Sequence, residues 1–277
     1  MPEGDNVLRA ATVLGRELTS RTITRLRLHD RGDVAELAGK RVEKIEARGK
    51  HMLVHFDAPY VLRVHLGMNG RWRRIHVREK ASVPATVRIE AGDVAYVCLG
   101  SYKADVLRSS ALKTNPRIAR LGPDLLHEPP DIIEAVRRAK QPGNASREIG
   151  DLVMDQRVAA GIGNIYKSET LFECRVHPRK LLFQMNESEV RAVYEKAAAL
   201  MRLNLLIRNP RISAPVRRRA TPTRQRFWVY MRRGKPCFDC GTPIEMFLQG
   251  DMARSTYFCP TCQAHTKTQS DAGKMTG

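Results

Sequence analysis

The sequence predicts a multidomain α+β protein, and three observations carry that reading. Short β-prone runs separated by turn residues fill the first hundred positions, helical periodicity takes over beyond residue 125, and two Cys-x-x-Cys pairs stand near the end. A chain of 277 residues can bury more than one core without disulfide support.

Val7, Ala11, Leu14 and Leu18 fall at helical spacing with Asp5 ahead of them as N-cap, which predicts an amphipathic helix over residues 5–18. Runs at 23–28, 42–47, 52–56, 61–66, 72–77, 85–89 and 94–99 follow. Turns such as Asp57-Ala58-Pro59, Met68-Asn69-Gly70 and Ala91-Gly92-Asp93 punctuate them. Six or seven strands at this spacing predict a sandwich or a barrel. The composition shifts around Leu121-Gly122-Pro123-Asp124, and helices are expected over 132–139, 149–158, 164–172 and 187–207. The expected units are 1–125, 126–226 and 227–267, with an unstructured tail over 268–277.

Lys and Arg number 48 against 29 Asp and Glu, a net charge of +19, so the expected partner is a polyanion and an acidic or neutral metabolic enzyme is disfavoured. Nine of the basic residues lie in 211–235, which contains no acid and reads as a mobile basic loop. No apolar run approaches the ~18 residues of a membrane span. The first residues lack the pattern of a secretory signal, so a cytoplasmic protein with reduced cysteines is expected.

Cys237, Cys240, Cys259 and Cys262 form two knuckles separated by eighteen residues, a spacing that brings four thiolates to one tetrahedral ion. Zn²⁺ suits four sulfurs and, with no open position, would be structural; two disulfides or an iron–sulfur site are the alternatives. The β-prone segment 255–258 entering the second knuckle fits a β-hairpin zinc ribbon. Cys98 and Cys174 lie outside this pattern and read as buried thiols.

Pro2 carries a secondary amine once Met1 is removed. An α-amino group with a pKa of about 7.7–8.0 keeps a useful neutral fraction at pH 7, and the positive end of the following helix lowers it further. Such an amine attacking a carbon of carbonyl character forms a Schiff base, for which Glu3 is placed to move protons.

Four segments occur together and in order: Met1-Pro2-Glu3-Gly4-Asp5, Ala47-Arg48-Gly49-Lys50-His51-Met52-Leu53, the run from Asp155-Gln156-Arg157 through Gly161-Ile162-Gly163-Asn164-Ile165-Tyr166, and Arg254-Ser255-Thr256-Tyr257-Phe258-Cys259-Pro260-Thr261-Cys262-Gln263. From residue 2 to about 265 the chain resembles the formamidopyrimidine-DNA glycosylase and endonuclease VIII family. The resemblance implies an N-terminal β-sandwich, a helix-two-turns-helix domain and a zinc finger, in a monomer that acts on damaged double-stranded DNA with no small-molecule cofactor. Pro2 would attack C1′ of the damaged nucleotide, Glu3 would donate a proton near the sugar, and β- and δ-elimination would cut the strand. By the same match Lys50, Arg120, Asn164 and Arg254 would hold phosphates; Asn164, opening a helix after two glycines, has a local physics that agrees. Loop 65–70 resembles the family's void-filling loop, with Met68 as wedge beside Asn69; a plain hydrophobic turn is the competing reading of Met68.

Departures from the pattern point to one branch. Asn6 stands where the family often has glutamate, residues 98–103 replace an Arg-Arg-Phe-Gly loop, and no capping loop is recognisable between 212 and 226. Asn6 removes any assisting role of that carboxylate, while the two loop differences together with Gly4 imply the endonuclease VIII branch and oxidised pyrimidines. The same chemistry on oxidised purines, or a zinc-bearing DNA-binding protein without catalysis, are the rivals.

Overall fold

The structure is a computed structural model that describes residues 2–81, 83–206 and 227–264. Helix α1 (Gly4–Leu18) buries Val7, Ala10, Ala11, Leu14 and Leu18, the stripe expected from its periodicity. Its start differs from the expectation. Glu3, with extended backbone, holds the N-cap position, and Asp5 lies inside the first turn.

Strands β1 (Arg25–Leu28), β2 (Gly32–Asp33), β3 (Val42–Arg48), β4 (His51–Phe56), β5 (Tyr60–His65), β6 (Arg71–His76), β7 (Ala85–Ala91), β8 (Val94–Leu99) and β9 (Lys103–Arg108) build two antiparallel sheets. Their orders are β2-β1-β7-β8-β6 and β3-β4-β5-β9, with no strand shared, so the β unit is a sandwich. One core joins α1 to both inner faces through Leu26, Met52, Val54, Leu62, Val64, Ile89 and Tyr96. Trp72 belongs to that core, while Arg73 and Arg74 on its strand face water.

Two elements of this region escape the sequence pattern. Strand β9 is an edge strand whose alternation is masked by Lys103, Asp105 and Arg108, and it exists through its register with β5, from Tyr60 opposite Arg108 to His65 opposite Lys103. Short helices α2 (Ser109–Leu112) and α3 (Pro116–Ala119) cover the outer sheet face, where Leu112 and Ile118 meet Leu53 and Val61.

Helices α4 (Ile132–Ala139), α5 (Ile149–Leu152), α6 (Asn164–Glu173) and α7 (Glu187–Leu206) enclose a second core around Leu152, Leu171, Val193, Tyr194 and Met201. The helix expected over 149–158 ends at Leu152. Side chains beyond it bond to local backbone in place of continuing the ladder: Gln156 Nε2 donates to the Met154 and Ile162 carbonyls, and Asp155 accepts from the Arg157 N–H. Helix α6 is buried on nearly every side, including Asn164, Lys167, Ser168, Glu169 and Thr170.

Strands β10 (Glu245–Gln249) and β11 (Arg254–Phe258) form the expected hairpin. Residues 207–226, which include most of the basic stretch, and the tail beyond 264 lie outside the described residues. The final part of that stretch, 227–235, is no loop in water: Val229 is fully buried, and the N–H groups of Trp228, Val229 and Tyr230 donate to the Glu169 carboxylate. Among the described residues no helix is long and apolar enough to cross a membrane.

Candidate active site

Glu3 joins two helices 160 residues apart in sequence. Its carbonyl accepts the N–H groups of Asn6 and Val7 at 3.0 and 3.1 Å, closing the first turn of α1. Its carboxylate turns to α6, where Oε2 accepts Gly163 N–H at 2.9 Å and Tyr166 N–H at 3.2 Å, and Oε1 accepts Ile165 N–H at 2.7 Å. The anion expected at this helix terminus is therefore the chain's own. Gly163 is required there, since a Cβ would lie 2.5 Å from Glu3 Cδ. Burial pushes the Glu3 carboxyl up to about 7, against the pull of Lys50 and the α6 N–H groups and with a push from Asp5. Pro2, half-buried, directly precedes this residue.

Lys50 stands on the tight turn between β3 and β4. Gly49 occupies the left-handed region at φ +56°, and a Cβ there would sit 2.9 Å from Ala160 Cβ. Gly49 N–H also donates to Asp124 Oδ2 at 2.7 Å, which pins the turn to the segment leading into the helices. Burial lowers the Lys50 pKa, Glu3 opposes that shift and Arg254 adds to it.

Arg254 opens β11, and its guanidinium lies between two sulfurs, with Nη1 3.9 Å from Met68 Sδ and Nη2 3.8 Å from Met252 Sδ. The hairpin thus reaches the sandwich. Met68 is 60% exposed at the tip of loop 66–70, beside exposed Asn69. The next loop braces it, as Tyr102 N–H donates to the His65 carbonyl at 3.0 Å while the Tyr102 ring stays 79% exposed.

Arg120 is exposed after α3 and lines a cavity of about 390 Å³ with His51, His65, Tyr102 and Arg117. Beneath it lies Arg63, fully buried, forked onto Asp105 at 2.9 and 2.5 Å with its Nη1 3.2 Å from His51 Nδ1. Burial chiefly, then the neighbouring groups, hold His51 at about 3 and His65 at about 4, so both imidazoles are neutral at pH 7.

Asn164 is buried, and its Nδ2 donates to the Ser255 carbonyl at 2.8 Å and to Ser255 Oγ at 3.2 Å. Its donors hold the hairpin. Residues that sequence reasoning passed over share that work: Lys167 Nζ donates to Thr256 Oγ1 at 2.6 Å, and Thr256 Oγ1 to Gln249 Oε1 at 2.8 Å. Burial lowers Lys167 to about 8. The available signal was the string Asn164, Lys167, Ser168, Glu169, Thr170 in a helix with no solvent face to receive it.

The four thiol sulfurs of Cys237, Cys240, Cys259 and Cys262 lie within 4.8 Å of one another and can hold a metal ion. The Cys237–Cys262 and Cys240–Cys259 sulfurs stand 3.9 and 3.5 Å apart, beyond the roughly 2.05 Å of a disulfide bond, and all four cysteines are free in the structure. Gln263 clamps the second knuckle to the helical unit, accepting from Cys259 N–H at 3.0 Å and donating to the Val176 carbonyl at 2.7 Å. Cys98 is buried as expected, while Cys174 is half-buried.

A sandwich that brings an N-terminal acid under a helix of a second unit, with a four-thiol hairpin beside it, defines a class that the comparisons specify. The formamidopyrimidine-DNA glycosylase N-terminal domain matches residues 1–98, and the formamidopyrimidine-DNA glycosylase H2TH domain matches residues 121–213. The chain is 34% identical to a probable endonuclease 8 2 of Streptomyces coelicolor over 95% of its length and 94% of that protein. It is 31% identical to the DNA-(apurinic or apyrimidinic site) lyase Nei2 of Mycolicibacterium smegmatis, over 95% and 99%. The chain belongs to the formamidopyrimidine-DNA glycosylase and endonuclease 8 family. Its fold is that of Lactococcus lactis Fpg, solved in a complex with DNA containing N7-benzyl-Fapy-dG, with a TM-score of 0.79 at 21% identity over 95% of this chain and 100% of that one.

Proposed function

We propose that this chain is a bifunctional DNA glycosylase and apurinic/apyrimidinic lyase that removes oxidised pyrimidines from double-stranded DNA. The observation that carries the reading is the Glu3 carboxyl, buried on the α6 N-terminus, poised at about 7 and faced by Lys50. A group held there can give and recover a proton at neutral pH. With Met1 removed, the neutral Pro2 amine attacks C1′ of the damaged nucleotide. The N–C1′ bond forms as the glycosidic bond breaks, and the base leaves with the bonding pair and takes up the proton that the amine loses; Glu3 then protonates the ring oxygen O4′ as the C1′–O4′ bond breaks, which opens the sugar and leaves a C1′=N iminium. The resulting iminium acidifies the C2′ proton, and successive loss of the 3′ and 5′ phosphates cuts the strand. Lys50 and Arg254 stabilise those phosphates, and Arg120 and Asn69 contact the backbone farther out. Asn164 acts from behind, by fixing the hairpin that carries Arg254.

Zn²⁺ suits the four thiols, because bonds of about 2.3 Å in a tetrahedron place sulfurs roughly 3.8 Å apart, close to the separations present. It would hold the hairpin and take no part in the chemistry. The oxidised-pyrimidine preference is supported by the endonuclease 8 names of the relatives and by residues 98–103, which lack the arginines and phenylalanine of the purine-directed branch.

Borohydride trapping on a duplex with one abasic site tests the nucleophile. The Met-processed chain is expected to form one covalent adduct, and a chain with a blocked N-terminus none. Equal yields from both, or no adduct from either, would sink the reading. In single-turnover assays thymine glycol should be excised faster than 8-oxoguanine; the reverse order assigns the purine branch.

Met68 fills the space left by the extruded nucleotide. It is exposed, so Met68→Ala should change stability by no more than ~0.5 kcal/mol. Excision from duplex should fall roughly tenfold while cleavage of a single-stranded abasic site is unchanged, because only the duplex must be held open. Equal losses on both substrates would assign Met68 another role.

A further inference from the structure

We propose that Asp5 is a positioning residue for excision, locking the turn that bears Pro2 and Glu3 onto the helical unit through Tyr166 and Asn204. This rests on the glycosylase reading above. Asp5 is wholly buried, and four side chains of three helices gather at it. Its Oδ2 accepts the Tyr166 hydroxyl at 2.9 Å and the Asn204 side-chain amide, while Oδ1 accepts Asn6 Nδ2 at 3.1 Å. Arg9, one turn farther along α1 and also buried, donates to the Asn204 carbonyl. A carboxylate shut away from water persists only where donors converge on it, and these donors come from α1, α6 and α7.

What this does for the site follows from the chain's order. Residues 3, 4 and 5 are tied in succession to the segment 161–166: Glu3 to the Gly163, Ile165 and Tyr166 N–H groups, Gly4 N–H to the Gly161 carbonyl at 3.0 Å, and Asp5 to the Tyr166 hydroxyl. Tyr166 thus holds both acids, one through its backbone and one through its side chain. The preceding Pro2 amine emerges from a turn with no freedom to slide along α6. The acid in this turn faces the joint between the helices, and Asn6 beside it is half-buried and neutral.

Asp5 also acts on Glu3 through its charge. Glu3 is faced by Lys50 from the β3–β4 turn, Asp5 from α1, Tyr166 and Lys167 from α6, and Tyr230 from the segment before the first knuckle. Asp5 itself is faced by Arg9, Tyr166 and Glu3. Burial raises the pKa of Asp5 itself, against the pull of the Asn204, Tyr166 and Asn6 donors and of Arg9; in its ionised form its charge is one of the contributions that raise Glu3, so its removal lets Glu3 ionise at lower pH.

The test is the pH profile of single-turnover excision from a thymine glycol duplex, measured for the wild type, Asp5→Asn and Tyr166→Phe. Asparagine keeps the shape of the side chain and loses the charge. Phenylalanine removes the hydroxyl and leaves the Tyr166 N–H on Glu3. The basic limb, where protonated Glu3 is lost, should move to lower pH by roughly 0.5–1 in Asp5→Asn, a three- to tenfold rate loss at pH values above both limbs. Tyr166→Phe should move it the same way by less, and both should bind a duplex with a tetrahydrofuran abasic analogue as the wild type does. A purely structural Asp5 would lower the melting temperature and leave the profile in place. If Asp5→Asn fails to fold, Tyr166→Phe decides alone. A wild type that processes neither lesion nor abasic DNA overturns the glycosylase reading on which this rests. An active wild type whose profile the variants superimpose on refutes the role of Asp5 alone.

Discussion

Glu3→Gln should lower single-turnover excision by roughly 10²- to 10⁴-fold and at the same time remove a pH dependence from stability. The loss of rate follows from the loss of an exchangeable proton beside the sugar. The stability effect follows from linkage. The Glu3 pKa is raised on folding from an ordinary 4.5 to about 7, so folding takes up a proton between those values. The stability associated with the protonated carboxyl is fully present below pH 4.5 and is lost as pH rises through 7. The displacement corresponds to about 3 kcal/mol for a group with no exposed surface.

Glutamine carries no such dependence, though its NH₂ must face an N–H donor that now meets a carboxylate oxygen, at a cost of about 1–3 kcal/mol. Absolute stabilities therefore compare two opposing changes, and the informative quantity is the difference between the proteins across pH. His51 and His65, with lowered pKa values of about 3 and 4, contribute in the opposite sense over the acid range, but equally in both proteins. Denaturant melts at pH 5 and pH 8 should show the wild type losing ground against Glu3→Gln as pH rises. A constant difference would mean that Glu3 is ionised throughout, held by the α6 N–H groups and Lys50.

That residue also marks the limit of what the sequence discloses. Helix α1 was legible because Val7, Ala11, Leu14 and Leu18 repeat at the helical period whatever the helix packs on. The hairpin was legible because two Cys-x-x-Cys pairs have few structural solutions. Glu3 could be named as an acid beside an amine, but its partners Gly163, Ile165 and Tyr166 lie some 160 positions away, and no local pattern reports that contact. Asp5 suffered a sharper error. A short acid before an apolar helix reads as an N-cap, and here tertiary hydrogen bonds from Tyr166 and Asn204 took it into the interior. Asn164 opens a helix as expected, but the hairpin strand that engages its amide comes 91 residues later, and no local pattern reports that contact.

Stripping the metal from the four thiols, or making Cys259→Ser, should sharply reduce strand cleavage at lesions while leaving most of the secondary structure in place. The apolar cluster around the knuckles contains Phe172, Val229 and Ile244 beside the sulfurs, with Trp228 and Tyr257 partly buried against them, too few side chains to order residues 236–264 without an ion. Binding energies of structural Zn²⁺ in small finger peptides run to about 10–16 kcal/mol, which is the scale of stability at stake. The sandwich and helical cores contain none of the four metal-binding cysteines and should keep their circular dichroism. Activity should fall by more, because β11 carries Arg254 five residues before Cys259. Without the hairpin, Lys167 loses Thr256, Ser168 Oγ loses the Tyr257 N–H, and the α6 donors that surround Glu3 lose their backing. A loss of roughly 10²-fold or more in cleavage is expected, with Schiff-base trapping at a preformed abasic site reduced less, since Pro2 stands on the sandwich. Freshly purified protein should contain one zinc per chain with all six cysteines reduced. A metal-free, fully reduced chain that cleaves at the native rate would show that the hairpin holds Arg254 by its protein contacts alone.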